Sequence, residues 1–266
     1  MTEPDLQNEI AGARAYENLH VPALFKQWCN PVLDAADINP GDDVLDVGCG
    51  TGILAREAVS RTGSHGRVTG LDPGPGMLAV ARELAPNIGW EQGVAESLPY
   101  ADDSFDAVVS QFGLMFFQDK AGAIREMHRV LKPGGRLAVA VWDSLEHMTA
   151  FPESVAILRE HAGDAAAAAL SAPFVLGDKR ELAALFHSAG VASPEITTLV
   201  GQARFPSLQA MMEADLRGWL PVMGIHLSEE QIQTILGIAE NRLADYVTAD
   251  GEMVFEAPAH IVSSTK

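Results

Sequence analysis

The residues best placed to do chemistry in this chain lie in one short run, Val44-Leu45-Asp46-Val47-Gly48-Cys49-Gly50-Thr51-Gly52. It reads as a buried strand, a glycine-rich turn and the start of a helix. Glycines in such a turn let the backbone approach a ligand closely. A dinucleotide fingerprint needs G-x-G-x-x-G. Counted from Gly48, the sixth residue is Ile53; counted from Gly50, the third is Gly52 and the sixth is Ala55, which that motif permits. The spacing weakens a dinucleotide reading without excluding it. A nucleotide-triphosphate loop is excluded more firmly, because no Gly-Lys-Ser/Thr occurs. Asp72 lies twenty residues after Gly52, at the end of a second strand-like segment. A carboxylate there can accept hydrogen bonds from both hydroxyls of a ribose; the alternative is an N-cap for the next helix.

Other reactive side chains give weaker patterns. The eight histidines form no HExxH or other metal-ligating spacing, so no metal is expected. His147 closely follows the fifth strand-like segment, where substrate sites of open α/β sheets lie, and is the candidate proton acceptor. His20 and His226 lie in segments that could cover the same site. Tyr16, Phe25 and Trp28 form a possible aromatic cover, although core packing explains Phe25 and Trp28 as well. His128 reads as a helix residue, and Asp102, Asp103 and Asp106 as turn chemistry before a strand.

The elements that must position these residues alternate along the chain. Helical patterns fill the first forty residues, and Pro40-Gly41 punctuates them. Strands are expected at 44–47, 67–71, 88–92, 105–110 and 136–142, with helices at 53–61, 76–84 and 119–131 between them. Apolar rather than alternating strands separated by helices argue for a parallel sheet covered on both faces. Later, Asp178 and Glu181 form a capping pair at the start of a helix over 178–189, and Ser228 with Gln231 forms a second pair. Strands are expected at 195–205 and 253–264, with Pro258 hinting at an edge or bulge. Between them lies a helical insert in which Leu208, Met211, Met212, Leu216, Trp219 and Leu220 make one face.

Four runs taken together, VLDVGCGTG, GLDPGPGML, GVAESLPYADDSFDAVVSQFGLMFF and EMHRVLKPGGRLAVAVW, resemble the class I S-adenosylmethionine-dependent methyltransferases. The resemblance is nearest to the branch of the ubiquinone and menaquinone C-methyltransferases. It covers residues 40–145 and is much weaker over 146–250. It implies an α/β, Rossmann-like three-layer sandwich with a seven-stranded, mostly parallel sheet, N-terminal helices and a helical insert before the last strand. Residues 1–40 would cover the cofactor site, 41–206 and 251–266 would form the core, and 207–250 would be a substrate lid.

The resemblance also implies roles for single residues. Gly48, Gly50 and Gly52 would pass beside the methionine part of S-adenosyl-L-methionine, with Thr51 in its contact shell. Asp46 would face the ammonium group, and Asp72 would bind the ribose. Met77 would pack near the adenine, flanked by Val94 and Ala95, whose N–H would serve a ring nitrogen. Gln111 would lie at the floor near the sulfonium. Cys49 would be structural or line the cofactor. Relatives carry Asp or Asn at the position of Val94, and valine cannot supply that polar contact; Glu96 or a backbone carbonyl would have to replace it.

Composition agrees with a globular enzyme of this kind. Of 266 residues 47% are hydrophobic and 20% charged, as in folded domains. Thirty-six acids against eighteen bases give a net charge of −18, which repels nucleic acids and anionic membranes but not a cationic small ligand. Two cysteines cannot make a disulfide framework, and the acidic N-terminus lacks an export signal, so a cytoplasmic setting is expected. The expected partner is a small, apolar or aromatic acceptor, with no nucleic acid and no membrane insertion. The expected reaction is in-line methyl transfer, whose catalysis is mainly positioning. Two alternatives are a nucleotide-dependent oxidoreductase and a protein that binds S-adenosylmethionine without transferring methyl groups. The oxidoreductase reading lacks a Tyr-x-x-x-Lys pair, since His20, Ser104 and Asp250 stand four residues after the three tyrosines.

Overall fold

The computed structural model describes residues 3–266. Seven strands form one sheet: β1 (Asp43–Val47), β2 (Arg67–Asp72), β3 (Gly89–Gln92), β4 (Phe105–Gln111), β5 (Leu131–Trp142), β6 (Glu195–Phe205) and β7 (Met253–Thr265), in the order β3-β2-β1-β4-β5-β7-β6. Strands β1 to β5 pair in parallel. β7 runs antiparallel to β5: Lys266 bonds Gly134 and Gly135 at one end, while Asp143 donates to the Pro258 carbonyl at the other. From Leu137 to Val141 every residue of β5 is buried, as are Val44 and Leu45 of β1 and Ala107 to Ser110 of β4. Burial on both faces explains why these strands read as apolar runs without alternation.

The chain goes from β1 to β2 and β3 on one side, then returns to build β4 and β5 on the other. The order therefore reverses between β1 and β4, and the crevice at their carboxyl ends is where open α/β sheets bind ligands. Helices α1 (Glu3–His20), α2 (Cys29–Ala35), α3 (Ile53–Thr62), α4 (Pro75–Leu84) and α5 (Lys120–Val130) accompany this half. Next come α6 (Phe151–Ala162), α7 (Asp164–Ser171) and α8 (Lys179–Ser188), then α9 (Leu208–Glu213), α10 (Leu220–Val222) and α11 (Glu229–Arg242). The caps read from sequence are present: Asp178 accepts from the N–H groups of Arg180 and Glu181, and Ser228 and Gln231 form a complete capping box. Asp119 adds a third cap, accepting from Gly122.

Two expectations need correction. Residues 208–220 are not one regular helix; a π-helical segment, Ala214–Trp219, separates α9 from α10. Pro221 has no N–H and its ring obstructs the carbonyl one turn back, so the helix widens. The Leu220 N–H reaches the Asp215 carbonyl five residues earlier. A second π-helical segment, Val21–Phe25, follows α1 and contains Pro22. Pro258 marks no edge either, because β7 lies between β5 and β6. Its missing donor is tolerated there while its carbonyl takes the Asp143 N–H.

The chain forms two compact units. The first comprises residues up to Val141, Asp178–Leu199 and Ala259–Lys266; the second comprises Trp142–Gly177 and Val200–Pro258. The second is centred on aromatic rings, with Phe151 5.1 Å from Phe174 and 5.4 Å from Phe255 between ring centroids. No helix among the described residues is long and apolar enough to cross a membrane.

Candidate functional site

The glycine turn leaves β1 with Gly48 and Cys49 both donating to the Leu71 carbonyl of β2. Asp72, at the end of β2, closes the turn: one carboxylate oxygen accepts the Gly50 N–H at 2.8 Å and the other accepts Gly74 at 2.8 Å. The cap reading and the ligand reading are compatible here, because a carboxylate has about four acceptor positions and the two printed bonds use one on each oxygen. The glycines differ in purpose. A Cβ on Gly52 would lie 2.2 Å from the Trp90 ring, so Gly52 is dictated by packing. A Cβ on Gly50 would meet only the Tyr16 ring, at 4.0 Å, and this is the open face of the turn.

Buried polar atoms without protein partners occur on the strands and turn that carry this face and on α1. Asp46 is 1% exposed; one of its oxygens accepts the Ala55 N–H at 3.0 Å and the other has no partner. Thr51 Oγ1, Ser110 Oγ, Gln111 Oε1 and Glu17 Oε2 are likewise buried and unpartnered. Buried polar atoms are normally satisfied, so unpartnered ones at the carboxyl ends of β1 and β4 and in the turn after β1 are candidate contacts for a polar ligand. Burial pushes the Asp46 carboxyl up to about 7, opposed by the Ala55 N–H and reinforced by the negative charge of Asp72. Burial also raises Asp72, opposed by the Gly74 and Gly50 N–H groups. A cation would relieve both acids.

Residues from the N-terminal helices line the same crevice. Tyr16 of α1 stacks on His20 at 5.7 Å and lies 5.4 Å from Phe25; Phe25 and Trp28 both meet Phe112, at 5.5 and 5.9 Å. Phe112 holds φ +55°, a conformation costly for an aromatic residue and concentrated at functional sites. Gln111 donates to the Phe25 carbonyl. Arg56 clips α1 to the turn by bonding Glu17 at 2.6 Å and the Thr51 carbonyl at 2.5 Å. Burial raises the Tyr16 phenol far above its ordinary value, helped by Asp72 and Glu17, so it is a hydrogen-bond donor. Burial pushes the Cys29 thiol up to about 12 and raises Cys49 as well, so neither is a thiolate nucleophile. Phe112, Tyr16 and Glu17 are functional candidates that the glycine motif alone does not reveal; the aromatic pattern had flagged only Tyr16.

The remaining sequence candidates fall in two places. Met77 lies beside Asp72 across Gly74, and Gly93, next to Val94, donates to the Asp72 carbonyl. Val94 is 48% exposed and Ala95 3%. Glu96 accepts the Gln118 N–H at 2.7 Å, so that carboxylate already holds the chain after β4. His147 belongs to the second unit. Its Nδ1 lies 2.9 Å from Asp143 and 3.1 Å from the Ser144 hydroxyl. Gly177 packs directly on Ser144: a Cβ there would lie 1.9 Å from its nitrogen. A surface cleft of about 280 Å³, lined by residues such as Asp34, Leu199 and Ser263, holds none of these groups. No cluster of metal-ligating side chains exists among the described residues.

The sheet order, the glycine turn and the acid ending β2 match the arrangement that the resemblance to class I methyltransferases implies. Comparison with known proteins agrees. Residues 45–139 match the family model described as a methyltransferase domain. A demethylmenaquinone methyltransferase of Chlorobaculum parvum is 49% identical over 92 residues, covering 35% of this chain and 37% of that protein. A ubiquinone/menaquinone biosynthesis C-methyltransferase of Klebsiella pneumoniae is 40% identical over 122 residues, 44% and 49% of the two chains. The chain thus spans about half or less of the length of the curated relatives it matches. In fold it is similar to the YcgJ protein of Bacillus subtilis, with TM-score 0.60, 20% identity and 90% and 98% of the two chains covered. It is also similar to a phosphoethanolamine N-methyltransferase of Haemonchus contortus solved with S-adenosyl-L-methionine, with TM-score 0.61, 19% identity and 97% and 57% covered. The resemblance to class I S-adenosylmethionine-dependent methyltransferases, near the ubiquinone and menaquinone branch, rests on sequence around the glycine turn and on fold beyond it.

Proposed function

We propose that this chain is an S-adenosylmethionine-dependent methyltransferase acting on a small apolar or aromatic acceptor. The observation that carries the reading is the pair of acids at the strand ends: buried Asp46, with one unpartnered oxygen, and Asp72, which holds the Gly50 N–H of a turn that is open on its Gly50 side. The residues fit this cofactor better than a dinucleotide. Asp72 binds the turn's own Gly50 N–H, and Asp46 is buried beneath it, so a pyrophosphate would meet negative charge.

When bound, the cofactor supplies a methyl group on a cationic sulfur, already activated for displacement. The chain's part is to hold and align. The unpartnered oxygen of Asp46 takes the ammonium group, and Thr51 with the Gly48–Gly52 turn flanks the same end. Asp72 offers its remaining acceptor positions to the ribose hydroxyls. Met77, Val94 and the Ala95 N–H take the adenine, and Gln111 forms the floor. Residues 1–40 cover the site, and 207–250 form a lid rich in Met, Leu and Trp, which suits an apolar acceptor. Residues 41–206 and 251–266 form the core that carries the cofactor. His147 serves as base, its ring oriented by the Asp143 carboxylate 2.9 Å from Nδ1.

Calorimetry with S-adenosylmethionine and with NAD tests the first step, and release of methylated product from labelled cofactor tests the second. Binding of NAD alone ends the proposal. One neighbour keeps a second reading in view: a protein titled a [4+2]-cyclase shares this fold at TM-score 0.52 and 21% identity. Cofactor binding with no labelled product from any phenolic, quinol or amine acceptor would favour that non-transferring class.

A further inference from the structure

The second unit contains a buried acid that the scheme above does not use. Asp215 is 8% exposed, its Oδ2 is buried without a partner, and it makes no side-chain hydrogen bond or ion pair among the described residues. Nearly all other buried acids at this depth in proteins are paired. Its backbone is also irregular. It is the second residue of the π-helical segment Ala214–Trp219, and its carbonyl takes the long-range bond from Leu220. Such single widened turns are frequent at functional sites. Met211, Met212 and Trp219 stand three or four residues from Asp215, hence on its side of the helix. Met211 and Met212 are buried, and the Trp219 indole is fixed by an N–H bond to the Ala169 carbonyl at 2.8 Å. Gly218, three residues on, has open space where a side chain would be. Methionine and tryptophan beside a single polar atom match a flat apolar ligand carrying one hydrogen-bond donor. A fixed cation is a poorer match, because an ion pair in such apolar surroundings loses hydration at both partners.

We propose that Asp215 is the recognition group of a ligand site in the helical unit, where its carboxyl accepts the hydroxyl of an aromatic alcohol packed on Met211, Met212 and Trp219. Naming that molecule the methyl acceptor rests on the function proposed above; the site itself does not. Burial alone raises the Asp215 carboxyl to about 7, and no neighbouring charge contributes, so the group is not committed to an internal partner.

The test is calorimetric titration of the full chain with 1-naphthol and with 1-methoxynaphthalene, which keeps the rings but lacks the donor. Both titrations are run with and without S-adenosylhomocysteine. The wild type is expected to prefer 1-naphthol at least tenfold. Asp215→Leu is expected to erase that preference, and the isosteric Asp215→Asn to reduce it severalfold, while affinity for S-adenosylhomocysteine stays within twofold. Equal affinity for the two probes, no binding of 1-naphthol, or a preference that survives in Asp215→Leu overturns the proposal. Failure to bind S-adenosylhomocysteine, with the preference intact, would instead overturn the methyltransferase reading and leave the site standing.

Discussion

At the scale of single residues, the two strand-end acids divide the work. Asp72 is already engaged, so Asp72→Ala removes an acceptor from the ligand and also strands the Gly50 and Gly74 N–H groups. Affinity for S-adenosylmethionine is expected to fall at least tenfold, about 1.4 kcal/mol or more, and stability by about 1–3 kcal/mol; calorimetry and denaturant melts read the two effects separately. Asp46 is held near neutrality. Its carboxyl rises from 3.8 to about 7 in the folded chain, so between these values the native state binds more protons than the unfolded one. Stability from this group is therefore full below about pH 4 and is lost as pH rises through about 7. Asp215 acts in the same direction over the same window. The thermal midpoint of the ligand-free protein should fall between about pH 5 and about pH 8. Asp46→Asn and Asp215→Asn should each flatten that slope, and an unchanged slope in both would show that neither acid is protonated. A bound ammonium group favours ionised Asp46, so cofactor binding near pH 6.5 should release a proton. Calorimetric heats would then vary with the buffer's ionisation enthalpy in the wild type and not in Asp46→Asn. The carboxylates were legible because Asp46 lies in the strand entering the glycine-rich turn and Asp72 ends the next strand, twenty residues after Gly52. Asp215 was not, because a lone acid among Met and Leu looks like one polar position on an apolar helix.

At the scale of elements, the glycine turn shows why motif reading stops short of geometry. Gly52 belongs to the motif, yet its lack of a side chain serves Trp90, a residue thirty-eight positions away in sequence. The β2–β3 register sets Gly70 opposite Trp90 and brings that ring over both glycines. Pairing between strands, not local spacing, decides this contact. Gly52 also holds φ +84°. Gly52→Ala is therefore expected to destabilise by about 3 kcal/mol, from overpacking and left-handed strain together. Gly50→Ala, with open space at 4.0 Å and φ +55°, should cost about 1–2 kcal/mol in stability from its backbone conformation. Urea denaturation decides between them. Trp90→Leu should recover part of the Gly52→Ala loss, as expected of two residues in contact; additive losses would mean the ring is not what excludes the Cβ. Strands, capping pairs and the sheet's apolar runs were readable for the same reason that Trp90 was not: they are set by neighbours in sequence. The π-helical segments lie between. Pro22 and Pro221 were visible, but whether a proline ends a helix or widens it depends on packing around the turn.

At the scale of the molecule, the excess of eighteen acidic charges bears on which ligands approach and how fast. At the strand ends Asp72 carries its charge, Asp46 part of one, and Glu17 is offset by Arg56, so the local field keeps the sign of the average one. S-adenosylmethionine carries one net positive charge near neutral pH, from sulfonium and ammonium against one carboxylate. S-adenosylhomocysteine has lost the sulfonium and is neutral overall. The two molecules are otherwise almost the same shape, so their difference isolates the electrostatic part of binding. Added salt shortens the screening length from ~30 Å at 0.01 M to ~8 Å at 0.15 M. Affinity for S-adenosylmethionine should therefore weaken by roughly twofold to fivefold over that range, mostly through a slower association rate. S-adenosylhomocysteine should change much less. This asymmetry would also help turnover, since the field that draws the charged donor in does not retain its neutral product. Stopped-flow binding of both ligands across the salt range decides the matter. Parallel salt dependences would mean that the protein's charge does not reach the crevice and that its acids act only on groups they touch.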